Sequence, residues 1–158
     1  MTQDQWREGY SVLSDGEDAA QWVPAQQNEA DAWVVLSADP QAVSRVGALP
    51  SEGVLAQAPL GDYDVIELSV FDHPVARVRW TAMLDGEGLA QAGALSLVER
   101  VGQGGLPDSA VVPVLVEAAL DEAWQGGAEV VTTLVPAAQA PMYVDAGWVV
   151  AEAVRRES

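Results

Sequence analysis

Cysteine is absent from this 158-residue sequence, which excludes a disulfide framework and a thiolate zinc site. Histidine occurs once, as His73 beside Pro74. A histidine-cluster metal site is therefore excluded, and a Ser/His/Asp arrangement would have to use His73, whose flanks carry no supporting pattern. Basic residues are scarce, 7 against 24 acidic ones, for a net charge of -17. A chain of that sign repels nucleic-acid phosphates and anionic membranes, which call for basic patches. Neither is expected as a partner. No apolar run approaches the roughly 20 residues of a membrane helix. Nothing near Met1 reads as a signal peptide, and there is no Walker loop or dinucleotide fingerprint. A soluble, cytoplasmic protein is the default expectation.

Hydrophobic residues make up 49% of the chain and charged residues 20%, the balance of a globular protein. The length suits one domain with a real core, so residues 1–158 are expected to form a single domain. The acidic excess has two readings, solubility in an acidic or salt-adapted proteome or an acidic face for a basic partner. It also disfavours a polyanionic ligand unless the site is locally positive.

Residues 1–60 carry few signals. Glu17 to Trp22 suggests a short helical turn before Pro24, and Ala32 to Ser37 a buried strand. Asp39-Pro40 followed by Ala42, Val43 and Val46 reads as a helix start, broken by Leu49-Pro-Ser-Glu-Gly53. Pro59 and Gly61 limit the apolar stretch from Leu55 to Leu60. From residue 63 the pattern sharpens. Tyr63–Phe71 alternates as a strand, with Ile66, Leu68 and Val70 on one face. A turn at Asp72–Pro74 leads to a second strand, Val75–Leu84, with Arg77, Arg79 and Thr81 on one face. Asp85-Gly-Glu-Gly88 is a hairpin turn, and Leu89–Val101 reads as a long third strand of an antiparallel meander.

A loop from Gly102 to Ser109 precedes a helix over Ala110–Gln125. Its polar positions Pro113, Glu117, Asp121 and Gln125 leave one narrow wet stripe, so the helix should pack heavily on a sheet. Gly126-Gly127 ends it. Glu129–Val135 is a near-continuous apolar strand, as in a sheet covered on both faces. Pro136 stops it, Ala137–Ala146 is expected to be a short helix, and Gly147–Ala151 starts a last strand.

This order, closing on Tyr143-Val-Asp-Ala-Gly147-Trp148, resembles the acetyl-CoA-binding half of the GCN5-related N-acetyltransferases over residues 63–154. The resemblance implies an α/β fold of the acyl-CoA N-acyltransferase type. Its mixed sheet is an antiparallel meander followed by strand-helix-strand-helix-strand, splayed between its fourth and fifth strands where acetyl-CoA inserts. Leu89–Val101 then corresponds to the fourth strand, Ala110–Gln125 to the third helix and Glu129–Val135 to the fifth strand. Tyr143 corresponds to the tyrosine of the fourth helix, whose hydroxyl can protonate the departing thiolate, against a bland reading as a half-buried tyrosine whose ring packs on Leu134 or Trp148. Glu99 is the candidate general base, against a bland reading as a solvated carboxylate. Backbone groups near Val98 and Val101 would align acetyl-CoA, and Gln103, Gly104, Gly105, Ser109 and Ala110 would meet its pyrophosphate at the helix entrance.

The sequence departs from the family at that entrance. No basic residue stands in the loop, Pro107 and Pro113 each remove an N–H, and Asp108 puts a carboxylate where the phosphate would sit. Asp108 or Ser109 could cap the helix instead. Pro136, Gln139 and Pro141 depart from the fourth-helix pattern. A further strand beside the last one is either missing or comes from a partner chain, making a homodimer, or from the N-terminal part.

Two functions stay open. One is an acetyl-CoA-dependent N-acetyltransferase for a small-molecule or protein amine, the acidic surface suiting a cationic acceptor such as a lysine side chain, a protein N-terminus or a polyamine. The other is an inactive binding or scaffold module, whose cleft would be filled by its own side chains, with Leu106 and Trp124 as candidates. Arg77 and Arg79 either receive an acidic substrate or pair with carboxylates. Trp6, Trp22 and Trp33 either anchor the N-terminal segment or line a pocket.

Overall fold

The computed structural model describes residues 5–17, 19–84, 87–88, 90–102 and 105–157. Helix α1 (Gln5–Leu13) comes first, then a 3-10 turn at Ala19–Gln21 and strand β1 (Trp22–Pro24). Strands β2 (Trp33–Ala38), β3 (Gly53–Pro59), β4 (Asp64–Val70), β5 (His73–Leu84), β6 (Ala90–Leu95) and β7 (Glu99–Arg100) follow. Helix α2 (Asp108–Gln125), β8 (Val130–Pro136), a 3-10 turn at Ala137–Gln139, α3 (Ala140–Ala146) and β9 (Val149–Arg156) complete the order. The strands form one mixed sheet in the order β1-β9-β2-β8-β6-β5-β4-β3, with β7 paired to β5.

The meander forms as expected from β4, β5 and β6, and β3 extends it at the edge. The expected long third strand is two strands, interrupted at Ser96–Val98. Ser96 explains the break. Its N–H donates to the Arg79 carbonyl at 2.9 Å, while its hydroxyl accepts from the Arg79 N–H at 2.9 Å and donates to the Leu97 carbonyl at 3.0 Å. One serine side chain takes the place of a backbone rung, so the ladder slips there as at a bulge. The turn joining β4 to β5 centres on Phe71 and Asp72, both at positive φ (51° and 65°), one step earlier than expected. Asp85 and Gly86 of the expected hairpin turn lie outside the described residues.

Alternation gives the sheet two covered faces. Val34, Leu36, Ile66, Leu68, Val78, Val131 and Val135 are buried on the face that carries α2 and α3. On the other face Val35, Leu134 and Val154 pack with Trp6 and Trp22, and Leu13 packs with Met83, Ala92 and Ala94. Each fully buried Val or Leu contributes about 1.5–3 kcal/mol by removal from water. Helix α1 reaches that second face because Gly9 has no side chain; a Cβ there would overlap the Ala94 Cβ. Helix α2 starts two residues before the expected Ala110 and buries Val111, Leu115, Ala119 and Leu120 against the sheet. It ends where Gly127 adopts φ 102° and the Ala128 N–H donates to the Ala123 carbonyl at 3.0 Å, a glycine-terminated helix end.

The N-terminal part holds the largest differences. The strand read at Ala32–Ser37 forms as β2, and it inserts between β8 and β9, antiparallel to both. The strand beside β9 therefore comes from the N-terminal part of the same chain. The helix expected from Asp39-Pro40 does not form. Instead, residues 41–50 cross α2 and α3 as an irregular strap. The Ser44 N–H donates to the Ala146 carbonyl at 2.7 Å, and the Val46 and Gly47 N–H groups donate to Glu117 Oε2 at 3.2 and 2.8 Å. Donors taken by other elements cannot close helical turns within the segment, and a short helix needs those turns to nucleate.

Candidate functional site

Strands β6 and β8 are the parallel pair of the sheet, in register from Ala92 opposite Val130 to Leu95 opposite Thr133. Beyond Leu95 the chain leaves β8, and β7 pairs with β5 instead, Arg77 opposite Glu99. The two strands therefore part at a defined point, which the Thr133 hydroxyl marks by donating to the Leu95 carbonyl at 3.0 Å. A cavity of about 200 Å³ opens onto this parting from the α1 face. Ser96, Leu97 and Thr133 line it where the strands separate, and Trp6, Tyr10, Trp22 and Trp33 line it from the N-terminal part. Trp22 packs edge-on against both Tyr10 and Trp33, with ring centroids 5.7 and 5.4 Å away. Such pairs prefer this geometry and hold one another in place. The tryptophans thus both anchor the N-terminal part and line a pocket.

Tyr143 lies on the opposite face. Its ring meets Trp148 edge-on at 5.7 Å, and the residue is 3% exposed. Its hydroxyl has no hydrogen-bond partner among the described residues. Burial pushes the phenol above the usual tyrosine range, because the charged form is the one that loses water. The phenol therefore stays protonated near neutral pH and has a proton to donate. A small cavity of about 60 Å³ lies between Tyr143, Val112 and Val116, and the strap residues Val43 and Val46 cover it. Two glycines let the strap seat so closely. A Cβ on Gly47 would lie 2.8 Å from the Val114 nitrogen, and one on Gly147 would lie 3.0 Å from the Ala42 carbonyl oxygen. Arg45 fastens the strap further, donating to Asp121 Oδ1 at 2.8 Å and to the Pro40 and Val43 carbonyls at 2.7 Å each. The groove between α2 and α3 is thus covered by the chain itself, by residues 43–47. Leu106 is only partly buried against the core, and Trp124 is 49% exposed.

At the entrance of α2, Gln103 and Gly104 lie outside the described residues. Gly105 and Ser109 are exposed. The Val101 N–H is taken by the Val75 carbonyl at 2.9 Å and the Ala110 N–H by the Pro107 carbonyl at 3.0 Å. Val98 is buried in the interruption between β6 and β7. Asp108 does not cap the helix. Its carboxylate accepts from Arg100 at 2.8 Å, and the same guanidinium donates to the Leu106 carbonyl at 2.7 Å. A basic side chain therefore does reach the helix entrance, from the strand before the loop, and the chain's own carboxylate meets it.

Glu99 faces elsewhere. Both its oxygens accept from Arg77, at 3.0 Å each. That hydrogen bond holds the Glu99 carboxyl below the ordinary glutamate range. Because the folded value is lowered, the pair's contribution is present above the ordinary value and is lost as pH falls through the folded one. Replacing Arg77 by Met should return the Glu99 titration toward the ordinary value, followed by carboxyl-carbon NMR. An unchanged midpoint would show that the pair does not persist in solution. Arg79 likewise pairs with Asp15, at 3.0 Å, and donates to the Leu13 carbonyl at 2.8 Å. Both arginines thus meet carboxylates of the chain.

Tyr143 and Glu99 are not brought into contact; Tyr143 packs on Trp148 and Glu99 pairs with Arg77 of β5. The parting strands and the aromatic pocket are brought together, and the sequence showed the tryptophans without their meeting point. Arg100 carried no sequence signal, Glu117 read only as part of the wet stripe of the helix, and the strap read as a helix start. Their roles come from contacts between residues 8 and 71 positions apart.

No protein-family model matches this sequence, and a search of curated proteins finds no match. Solved structures do match. One is described as a GCN5-related N-acetyltransferase from Kribbella flavida, with a TM-score of 0.59 and 12% identity over 87% of this chain. A second is a functionally unknown conserved protein from Staphylococcus epidermidis ATCC 12228, with a TM-score of 0.51 and 10% identity over 80% of this chain. This chain corresponds to 61% and 62% of those two chains. At such identities the likeness is one of fold, and the fold is the mixed α/β sheet of the acyl-CoA N-acyltransferase type.

Proposed function

We propose that this single-domain protein is an acetyl-CoA-dependent N-acetyltransferase acting on a small-molecule or protein amine. The observation that carries the reading is the buried Tyr143 hydroxyl, protonated and without a partner among the described residues. A native protein keeps such a group at a cost, and a proton-donating role is a reason to keep it. Acetyl-CoA, when bound, supplies the activated acyl group. Tyr143 holds a proton at its phenolic oxygen for the leaving sulfur. Glu99, which lies outside the α1-face cavity, takes a proton from the amine through intervening water, and its pairing with Arg77 makes it a weak base. The backbone around Val98 and Val101 aligns the acyl carrier. The helix entrance (Gln103, Gly104, Gly105, Ser109 and Ala110), with Arg100 added, meets the phosphates.

A second reading has its own support. The strap over the α2–α3 groove and the Arg100–Asp108 pair fit a binding module that keeps the fold without the transfer. Calorimetric titration with acetyl-CoA separates the two, run on the wild type and on Asp108→Asn. The transferase reading expects saturable binding that tightens in the variant by about tenfold, near 1.4 kcal/mol, as Arg100 is released. No binding in either protein would leave the module reading.

A further inference from the structure

We propose that the aromatic cavity on the α1 face is the acceptor site, and that it takes a small monoamine with a flat apolar body. Assigning the amine end rests on the transferase reading above; occupancy of the cavity does not.

Size comes first. At about 200 Å³ the cavity is below the roughly 300–1,000 Å³ of sites for drug-sized ligands. It suits a body about as large as one aromatic ring with a short arm. Shape and chemistry come next. Trp6, Trp22, Trp33 and Tyr10 supply flat apolar walls, with Leu97 and Leu134 among the rest of the lining. The rings are fixed before any ligand arrives. Trp6 donates its indole N–H to Glu152 at 2.6 Å, and Tyr10 donates its hydroxyl to Glu17 at 2.7 Å. Pre-set aromatic walls bind a flat apolar body at little ordering cost.

Charge then limits the ligand. Glu17 and Arg156 are the fully charged groups on the lining, and they meet each other at 2.9 Å. The Glu17 carboxylate also accepts from Tyr10 and, at 2.6 Å, from Gln21. Among the described residues, no carboxylate on the lining is left over to match several ammonium groups, although the chain as a whole is acidic. A polyamine entering here would leave cations desolvated and unmatched, which is costly. A single amine avoids that cost. Apolar walls also lower the pKa of an enclosed amine, which favours the neutral form with its lone pair free. The cavity meets the strand parting at Ser96 and Leu97, so an amine directed there faces the place where β6 and β8 separate.

The six tryptophans test this without acetyl-CoA, through their indole N–H resonances. With 2-phenylethylamine as the probe, the resonances of Trp6, Trp22 and Trp33 should shift saturably while those of Trp80, Trp124 and Trp148 stay. Spermidine should leave all six in place. Ser14→Phe, which puts a ring into the cavity from its rim, should abolish the shifts while keeping the wild-type unfolding midpoint. No saturable shift at millimolar 2-phenylethylamine overturns the proposal, and so does spermidine moving the same three resonances equally. The outcomes separate from those of the transferase reading. Shifts without any acetyl-CoA binding would keep the pocket and remove the transferase. Acetyl transfer to spermidine but not to 2-phenylethylamine would do the reverse.

Discussion

Tyr143→Phe is expected to yield a protein more stable than the wild type by about 1–2 kcal/mol, because a buried polar group without a partner costs roughly 1–3 kcal/mol. The substitution removes one oxygen and leaves the ring, its packing on Trp148 and its neighbours Val112 and Val116 in place. Alkaline pH should widen the gap. The folded phenol titrates above its unfolded value of 10.0. The stability tied to keeping it neutral is therefore fully present below that value and is lost as pH rises beyond it. The phenylalanine variant has no such loss. Urea unfolding of both proteins, at neutral pH and above the tyrosine value, gives the difference directly, and Tyr10 and Tyr63 cancel because both proteins carry them. If the variant is less stable, the hydroxyl has a partner in solution and Tyr143 is an ordinary core residue. On the transferase reading the same variant loses turnover, so stability and activity should move in opposite directions.

Gly47→Val should lift the strap. Its Cβ would lie 2.8 Å from the Val114 nitrogen and 2.9 Å from the Pro113 carbonyl carbon, and helix backbone cannot yield as a side-chain tip can. Overpacking of this kind costs about 1–3 kcal/mol. The Val46 and Gly47 amides lose their shared acceptor, Glu117 Oε2. Hydrogen exchange at residue 46 and its neighbours should quicken by orders of magnitude, while that of Val34 and Leu36 in β2 should change little. Tyr143 loses its cover, so its phenol should titrate closer to the ordinary value. Acetyl-CoA should bind this variant more tightly than the wild type if the strap closes the approach to Tyr143. Slow exchange in the variant would mean that the strap tolerates a side chain at position 47. A lifted strap with unchanged affinity would separate the strap from the cofactor route.

The fold from residue 63 onward was legible because its signals are local. Strand alternation at Ile66 and Leu68, the narrow wet stripe of α2 and the paired glycines after it each report a backbone preference over a few residues. β2 was legible as a strand for the same reason, whereas its place between β8 and β9 was not. That place depends on partners about 100 residues away, which no local pattern encodes. The helix read at Asp39-Pro40 failed because Glu117 and Ala146 take the donors that a helix would have used. The loop at the helix entrance carries no basic residue; Arg100 reaches it from the strand before, through a side-chain direction that spacing alone does not give. Helix α1 was missed because its buried face is made of Trp6, Gly9 and Leu13, and the glycine that makes its close docking possible also weakens its helical signal.

The placement of β2 also orders the events of folding. Trp33 to Leu36 is an apolar strand whose two neighbours, β8 and β9, are synthesised about a hundred residues later. Until then it presents two open edges to whatever else is in the cell. Closing the sheet must wait for the largest loops in the molecule, and topologies dominated by such distant pairings fold slowly, roughly in milliseconds to seconds. The meander from β3 to β6, whose pairings are all between sequence neighbours, has time to form alone. The half of the sheet that carries the tryptophan pocket is thus the last to exist, and in refolding experiments the signals of Trp22 and Trp33 should trail those of Trp80.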